Sequence, residues 1–312
     1  MRVFENRASA VLYRFLKSNA TTKPFLLPAN VCPIVPLTFL KAGVTFEFID
    51  IDKTHGMNQQ ICLERLKTKN YSGILFVHAY GRLFENTDFY GFIKDIDSSI
   101  YIIDDRCLCI PRLDSKVQKN IDLELYSTGY AKYVELSYGG WGIIRDDLNY
   151  EQFLIKYKEI DFEEQMTYIR KCLDAGLKYE GDVNDWLDGG SLDSAQIYME
   201  QVEEKLYLTN VHKQRINAIY EYYLSPYINW TKDYQSWRFV FEVEQRDVCL
   251  KKIFDAGFFA GTNFPSVAFL FKGEHLPFAE QEQNRLLNLF NDFRVDEKFA
   301  RQICEVITTC YK

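Results

Sequence analysis

Apolar runs typical of β-strands alternate with helical segments through the first 105 residues of the chain. The strand-like runs are PFLLPA, VTFEFIDID, GILFVHAYG and IYIIDD, and the helical segments are residues 8–17, PIVPLTFLKAG, NQQICLERLKTK and DFYGFIKDI. Strands that alternate with helices are joined by crossovers and form a parallel sheet. The pattern therefore predicts an α/β fold, in which ligands gather where the strands end.

The second half of the chain has a different character. Long charged stretches over 149–178 and 192–224 have helical spacing and are joined by the loop EGDVNDWLDGGS. A strand RFVFEVE, a helix RDVCLKKIFDAG and two terminal helices over 278–290 and 296–311 follow. This order predicts a large domain over residues 1–210 and a small C-terminal α+β domain over residues 211–312.

Composition narrows the class of protein. The 312 residues carry a formal net charge of −7, which argues against a nucleic-acid partner, and no apolar run approaches the roughly 20 residues that span a bilayer. Arg7, Arg14 and Lys17 interrupt the N-terminal segment, so it lacks the apolar region of a secretory signal. The eight cysteines lack metal-ligand spacing. We expect a cytoplasmic protein with reduced thiols, no metal and no membrane partner.

Three polar residues come at the ends of predicted strands or in the loop that follows. Lys132 lies in the glycine-containing stretch DLELYSTGYAKYVELSYGGWGII, residues 122–144, where it could enter a pocket as a nucleophile or remain a solvated surface lysine. Asp105 could pair with a protonated ring nitrogen of an electron-sink cofactor, or cap a turn together with Asp104. The Ser127 hydroxyl, beside backbone amides at a helix start, could bind a phosphate. The order Asp, Ser, Lys is the one expected of a pyridoxal 5′-phosphate site, although many strands end in Asp and Ser.

Other candidate residues receive plainer interpretations. We expect His78 to be a buried, hydrogen-bonded residue at a strand end rather than an acid-base catalyst. Among the many aromatic residues, most belong to the core, whereas Tyr80 and Tyr130 are expected to line the pocket.

Several segments resemble the DegT/DnrJ/EryC1/StrS sugar aminotransferases. IIDDRCLCIP followed by DLELYSTGYAKYVELSYGGWGII is similar to the family's acidic turn and its Ser-x-x-x-x-Lys loop with a glycine run. FLLPANVCPIVPLTFLKAGVTFEFIDID, VHAYG, FDAGFFAGTNFP and the closing LLNLFNDFRVDEKFARQICEVI also resemble family segments. The likeness covers most of the chain, and the Lys132 region carries its specific part.

The resemblance implies a fold-type-I enzyme that depends on pyridoxal 5′-phosphate, with a large three-layer α/β/α domain and a mostly parallel sheet. Lys132 would form the Schiff base with the cofactor and shuttle a proton, Asp105 would pair with the pyridinium nitrogen, and Ser127 would bind the phosphate. The backbone amides of the turn formed by Asn6, Arg7 and Ala8 would hold the phosphate at a helix N-terminus.

Three departures from the family pattern bear on these assignments. Leu108 stands where the family usually has Gln or His to contact the cofactor, and Cys32 stands where an aromatic residue often covers the ring. GGSLDSAQ replaces the Asn-x-Arg-Met segment that the family commonly uses near the partner subunit's site. Binding of the cofactor is expected to survive these changes more readily than recognition of the substrate.

The resemblance implies transfer of an amino group from glutamate to a nucleotide-linked keto-sugar, in surface-polysaccharide or amino-sugar biosynthesis, by a homodimer. Lys132 favours transamination, because sugar dehydratases of this family typically carry histidine at that position. Two alternatives stay open: a noncatalytic binding or assembly protein with the same fold, and a fold-type-I enzyme that acts on an amino acid.

Overall fold

A computed structural model describes residues 1–19, 22–114, 116–182, 184–228 and 230–311 of the chain. The strands are β1 (Arg2–Glu5), β2 (Phe25–Pro28), β3 (Phe46–Ile49), β4 (Gly73–Val77), β5 (Tyr101–Asp105), β6 (Leu123–Ser127), β7 (Gly140–Ile144), β8 (Phe239–Glu242) and β9 (Leu286–Leu289). The helices are α1 (Ala8–Asn19), α2 (Ile34–Ala42), α3 (Gln59–Thr68), α4 (Thr87–Ile96), α5 (Glu159–Ala175), α6 (Ala195–Leu224), α7 (Arg246–Asp255), α8 (Pro277–Gln283) and α9 (Glu297–Thr308). None of these described helices is long and apolar enough to cross a membrane.

The large sheet has seven strands in the order β1-β7-β6-β5-β4-β2-β3. The strands from β2 to β6 pair in parallel, whereas β7 is antiparallel to β6 and β1 is antiparallel to β7. One apolar core joins α1 and α2 to one face of the sheet, and a second joins α3 and α4 to the other face. The three-layer α/β/α architecture with a mostly parallel sheet is confirmed.

Strand β1 is absent from the sequence-based prediction, which begins with the first helix. Only four residues form it, too few to show a pattern of their own, and its hydrogen bonds to β7 define it. This pairing places the chain at the sheet immediately before α1 begins.

The prediction of a helix over 278–290 is wrong beyond residue 283. Helix α8 ends at Gln283, and residues 286–289 form β9, which pairs antiparallel with β8. Leu286, Leu287 and Leu289 are fully buried, so both faces of β9 are covered and its sequence lacks the alternation of a half-exposed strand. This pairing also satisfies the backbone groups of β8, which would lose their partner if residues 286–289 were helical.

The predicted helix over 149–178 is shorter than expected. Residues 151–158 are not helical, and α5 begins at Glu159. Ile155 is buried, and the Lys158 amide donates a hydrogen bond to the Asp185 carbonyl at 2.8 Å. Tertiary packing thus holds this stretch in a non-helical form despite its helix-compatible composition. Helix α6 forms nearly as predicted and continues without a break across residues 210 and 211 to Leu224. The division into domains at 210/211 stays a proposal.

Candidate active site

A cavity of about 250 Å³ lies where β5 and β6 end. Among the residues named from the sequence, it brings together Arg7, Ala8, Cys32, Asp105, Ser127 and Lys132. Much of the remaining wall is apolar and includes Leu12, Ile34, Val35, Leu125, Phe162, Trp186 and Leu187. The predicted gathering of polar groups at the carboxyl edge of the sheet is therefore present, within a largely apolar enclosure.

The side chain of Asp105 faces this cavity because of the strand alternation in β5. Ile103 and Asp105 lie on the face packed against α1, while Ile102 and Asp104 lie on the opposite face. Asp105 is 6% exposed, and its Oδ1 accepts a hydrogen bond from the Cys107 amide at 2.9 Å. The backbone that follows β5 thus orients the Asp105 carboxylate.

Asp104 serves a different purpose on the other face. Its Oδ1 lies 2.9 Å from Nε2 of His78, and its Oδ2 accepts a hydrogen bond from Nε of Arg106 at 2.5 Å. Burial alone raises the pKa of Asp104, but the charge and hydrogen bond of His78, together with Arg106, hold that pKa below its usual value. His78 is 1% exposed, which confirms its expected role as a buried, hydrogen-bonded residue.

Lys132 lies in a loop whose backbone is held on both sides of the residue before it. Ala131 has a left-handed conformation with φ 56°, its amide donates to Oε2 of Glu135 at 3.0 Å, and its carbonyl accepts from Nε1 of Trp237 at 2.6 Å. Within the described part of the chain, Nζ of Lys132 has neither a hydrogen bond nor an ion pair, although Lys132 lines the cavity. The backbone of the loop is therefore held in place, while the amine of Lys132 has no partner among the described residues.

The start of the same loop is closed by Thr128. Its Oγ1 donates a hydrogen bond to the Tyr138 carbonyl at 2.6 Å and lies 2.7 Å from the hydroxyl of Tyr198 in α6. The Thr128 carbonyl accepts from the Leu136 amide at 2.8 Å. These bonds connect the start of the loop to its end, just before β7, and to α6, so the backbone that carries Lys132 is held in place.

The N-terminus of α1 forms another side of the cavity. Over the residues described, the Ser9 amide has no hydrogen-bond acceptor, as is usual for a first helical turn, whereas the Ala8 amide lies at the parallel bridge between Arg7 and Gly139. Ser127 reaches the cavity from the end of β6, where its Oγ accepts from the Gly129 amide at 3.3 Å. The free Ser9 amide, the Ser127 hydroxyl and the Arg7 guanidinium form a site suited to an anion.

A close contact between backbones brings α1 to this position. A Cβ on Gly140, at the start of β7, would lie 2.4 Å from the Ala8 nitrogen and 2.6 Å from its Cα. Glycine is therefore required at residue 140 for the helix to begin directly against the sheet.

The remaining predicted cofactor residues are placed differently. Cys32 lines the cavity; burial raises the pKa of its thiol, while the nearby charge of Lys132 acts in the opposite direction. Asn6 lies beside the lining, where its Nδ2 donates to Oδ2 of Asp188 at 3.2 Å. Leu108 is buried in a separate apolar cluster with Tyr80 and Trp237, outside the cavity lining.

The two aromatic residues expected in the pocket also separate. Tyr130 lines the cavity and packs against the guanidinium of Arg294, which lies 4.7 Å from the ring centroid. Tyr80 is fully buried outside the lining, and its hydroxyl donates to Oε1 of Glu282 at 2.7 Å. The expectation for Tyr80 is therefore wrong, because its hydroxyl finds a partner within the core instead of facing the cavity.

Sequence reasoning missed the residues that close the cavity. Tyr157, Phe162, Trp186, Leu187 and Asp188 come from a non-helical stretch, the start of α5 and the loop ahead of α6. No motif marks them, since they reach the site through packing with residues more than 100 positions earlier in the chain. The one available signal was the apolar pair Trp186 and Leu187 within the mostly polar loop EGDVNDWLDGGS.

The grouped residues fit pyridoxal 5′-phosphate. The amides at the start of α1, with Ser127 and Arg7, suit a phosphate; the Asp105 carboxylate suits a protonated ring nitrogen; and the unpaired Lys132 amine suits an aldehyde. All of these residues line the same cavity.

Comparison with known proteins shows which solved structures share this fold. No protein-family model matches the sequence, and no curated protein matches it. The structure of PseC from Helicobacter pylori, an aminotransferase involved in the biosynthesis of pseudoaminic acid, has a TM-score of 0.70 at 16% identity and covers 99% of this chain and 86% of its own.

Two further solved structures agree. DesI, determined in the presence of its TDP-sugar product, has a TM-score of 0.71 at 17% identity over 99% of this chain and 80% of its own. A DegT DnrJ EryC1 StrS aminotransferase from Brucella abortus has a TM-score of 0.67 at 17% identity over 99% of this chain and 85% of its own. The fold predicted from the sequence is confirmed: the chain shares the fold of these aminotransferases along nearly its whole length.

Proposed function

We propose that the protein is a pyridoxal 5′-phosphate-dependent aminotransferase of the DegT/DnrJ/EryC1/StrS type, which transfers an amino group from glutamate to a nucleotide-linked keto-sugar. The observation that carries this proposal is the meeting of Lys132, Asp105 and the N-terminus of α1 around one cavity. The shared fold with sugar aminotransferases supports it.

The bound cofactor would supply an electron sink for the carbanion formed at the donor's α-carbon. Asp105 would hold a proton at the pyridine nitrogen, which strengthens that sink. Lys132 would bind the cofactor covalently and then, when the donor has displaced it, accept and return a proton at Nζ. The apolar side chains of Leu12, Trp186 and Leu187 would exclude water from these groups.

The nucleotide-sugar acceptor is proposed by analogy with PseC and DesI, whose descriptions concern pseudoaminic acid biosynthesis and a TDP-sugar product. A role in surface-polysaccharide or amino-sugar biosynthesis, a homodimeric assembly and a cytoplasmic location belong to the same proposal. The sequence grounds for them are the family resemblance and the charged N-terminal segment.

Trapping of the cofactor tests the assignment of Lys132. The protein reconstituted with pyridoxal 5′-phosphate should absorb visible light, and borohydride should fix the cofactor on the peptide containing Lys132. Lys132→Ala should yield no adduct there, whereas Lys171→Ala, an exposed position in α5, should behave like the wild type. An adduct mapped to another lysine would exclude Lys132 from the role.

A single-turnover measurement separates the enzyme from its alternatives. Glutamate or glutamine should bleach the visible absorbance, and 2-oxoglutarate should restore it, because this half-reaction is independent of the acceptor. A lysine-bound cofactor that remains unchanged across a broad panel of amino donors would favour the noncatalytic alternative. Full turnover with an amino-acid acceptor and none with nucleotide-linked keto-sugars would favour the amino-acid enzyme.

A further inference from the structure

Residues 184–190 cross the cavity and are called the strap here. Trp186 and Leu187 are 2% and 0% exposed and form part of the cavity wall. Asp188 follows them and also lines the cavity, next to the start of α1. The strap therefore brings a carboxylate to the place where the proposed cofactor needs an anion site.

The strap is tied to the first residues of the chain. The Asn6 amide donates to the Gly190 carbonyl at 3.0 Å, and Nη2 of Arg14 donates to the Gly189 carbonyl at 3.3 Å. Asn6 and Arg14 lie on either side of the first turn of α1. The position of the strap is thus set by the same segment that presents the free amide of Ser9.

The Asp188 carboxylate uses the groups that would otherwise face an anionic ligand. Its Oδ2 accepts from Nδ2 of Asn6 at 3.2 Å and lies 3.7 Å from Nε of Arg7, and its Oδ1 accepts from the Gly190 amide at 3.0 Å. The Asp188 side chain is 18% exposed, so water screens these contacts only in part.

The charged residues that line the cavity indicate how Asp188 would affect a bound phosphate. Arg7 and Lys132 are cationic, while Asp105 and Asp188 are anionic. In the proposed function, Asp105 pairs with the ring nitrogen of the cofactor. Asp188 is then the carboxylate that neutralises Arg7, beside the N-terminus of α1. A phosphate bound by Arg7 and the start of α1 would lie beside a like charge, in a partly desolvated site where such repulsion is strong.

We propose that Asp188 competes with the phosphate of the cofactor for Arg7, Asn6 and the N-terminus of α1, and so limits the affinity of the cavity for phosphate-bearing ligands. This inference rests on the cofactor in the proposed function. Asp188 is thereby a residue that determines binding specificity, and it takes no part in proton transfer.

The test compares pyridoxal 5′-phosphate with pyridoxal, which has the same ring and aldehyde without the phosphate. Dissociation constants are measured by absorbance titration for the wild type, Asp188→Asn and the control Asp185→Asn. Asp185 belongs to the same strap but lies outside the cavity lining, and its carboxylate is 3.8 Å from Nζ of Lys158. Asparagine at 188 keeps an oxygen that can accept from Gly190, so the strap should stay in place.

We expect Asp188→Asn to lower the dissociation constant for pyridoxal 5′-phosphate by about tenfold or more. The constant for pyridoxal should change by no more than about twofold, since it carries no phosphate. Asp185→Asn should leave both constants near those of the wild type. An equal change for both ligands, or an unchanged or weaker affinity for pyridoxal 5′-phosphate in Asp188→Asn, would overturn the proposal.

Inorganic phosphate supplies a second measurement that does not depend on the cofactor. It should raise the melting temperature of Asp188→Asn more than that of the wild type. If no variant binds pyridoxal 5′-phosphate but this difference is seen, the cofactor assignment fails while the competition by Asp188 stands. If cofactor binding to every variant is absent and phosphate stabilises all variants equally, both proposals fail.

Discussion

Neighbouring residues in β5 have opposite tasks because successive side chains of a strand point to opposite faces. Asp104 is fully buried against Arg106 and His78, whereas Asp105 reaches the cavity. A buried carboxylate with charged partners is a structural element whose loss leaves those partners uncompensated. A carboxylate at the cavity wall is available to a ligand. The two aspartates therefore form a matched pair for experiment.

Asp105→Asn should lower the rate of the donor half-reaction by roughly 100-fold or more, because a neutral amide no longer stabilises the protonated ring nitrogen. The free energy of unfolding should change little, since the asparagine oxygen can still accept from the Cys107 amide. Stopped-flow absorbance and urea denaturation give the two quantities.

Asp104→Asn should show the reverse behaviour, with a loss of about 3 to 5 kcal/mol in the free energy of unfolding, because Arg106 stays buried without its carboxylate. If Asp104→Asn abolished the half-reaction in a folded protein while Asp105→Asn left it intact, the roles assigned to the two residues would have to be exchanged.

At the scale of elements, the approach of α1 to β7 shapes the anion site. Helix α1 begins shortly after β1, and β1 pairs with β7, so the first turn of the helix lies beside the end of β6. Gly140 permits this approach because it has no Cβ. The site thus depends on one backbone contact as much as on its polar side chains.

Gly140→Ala should lower the free energy of unfolding by about 1 to 3 kcal/mol, because its Cβ would overlap the backbone of Ala8. The affinity for pyridoxal 5′-phosphate should fall as well, since α1 has to move away from β7. Gly91→Ala is the control: it lies within α4, and its Cβ would meet only Asn120 Nδ2, at 3.7 Å. That change should be neutral or stabilise by up to about 1 kcal/mol. Equal denaturation midpoints for the two variants would contradict the assigned contact.

At the scale of the whole molecule, the C-terminal region holds the loop that carries Lys132. Trp237 donates to the Ala131 carbonyl at 2.6 Å, and Nη2 of Arg294 donates to Oε1 of Glu135 at 2.6 Å. Lys213 of α6 lies behind this contact, where its Nζ donates to the Trp237 carbonyl and to Oδ1 of Asn291, each at 2.6 Å. The position of the proposed catalytic amine therefore depends on residues far along the chain.

The burial of Lys213 should make the free energy of unfolding depend on pH. Burial lowers the pKa of Lys213 to about 7, against an opposing effect of Asp292, while the unfolded chain keeps the ordinary lysine value of 10.5. Between these values the unfolded state binds more protons, so the free energy of unfolding should rise with pH, by up to about 1.4 kcal/mol per pH unit. Below about pH 7 Lys213 is charged in both states, so its destabilising effect has reached its maximum and no longer changes with pH.

Lys213→Met should remove this increase, because methionine has no proton to lose. Urea denaturation of both proteins between about pH 7 and about pH 10 measures the difference in slope, which is unaffected by a uniform loss of the hydrogen bonds to Trp237 and Asn291. Parallel curves for the two proteins would show that Lys213 keeps an ordinary pKa in the fold.

The sequence by itself determined the alternating architecture of the first half and the polar residues at the strand ends. Asp105, Ser127 and Lys132 could be named because strand ends and glycine-containing loops leave local patterns, and parallel strands end at a common edge. The predicted position of His78 also followed from a local pattern.

Only the tertiary structure decided which groups around that edge share the cavity. It buried Tyr80 and Leu108 in a separate cluster, turned residues 286–289 into a strand, and folded the strap over the site. It also placed Asp188 against Asn6 and Arg7. These outcomes arise from contacts between residues distant in the chain, where the burial of apolar surface and the pairing of backbone groups outweigh local propensity, so no local pattern encodes them.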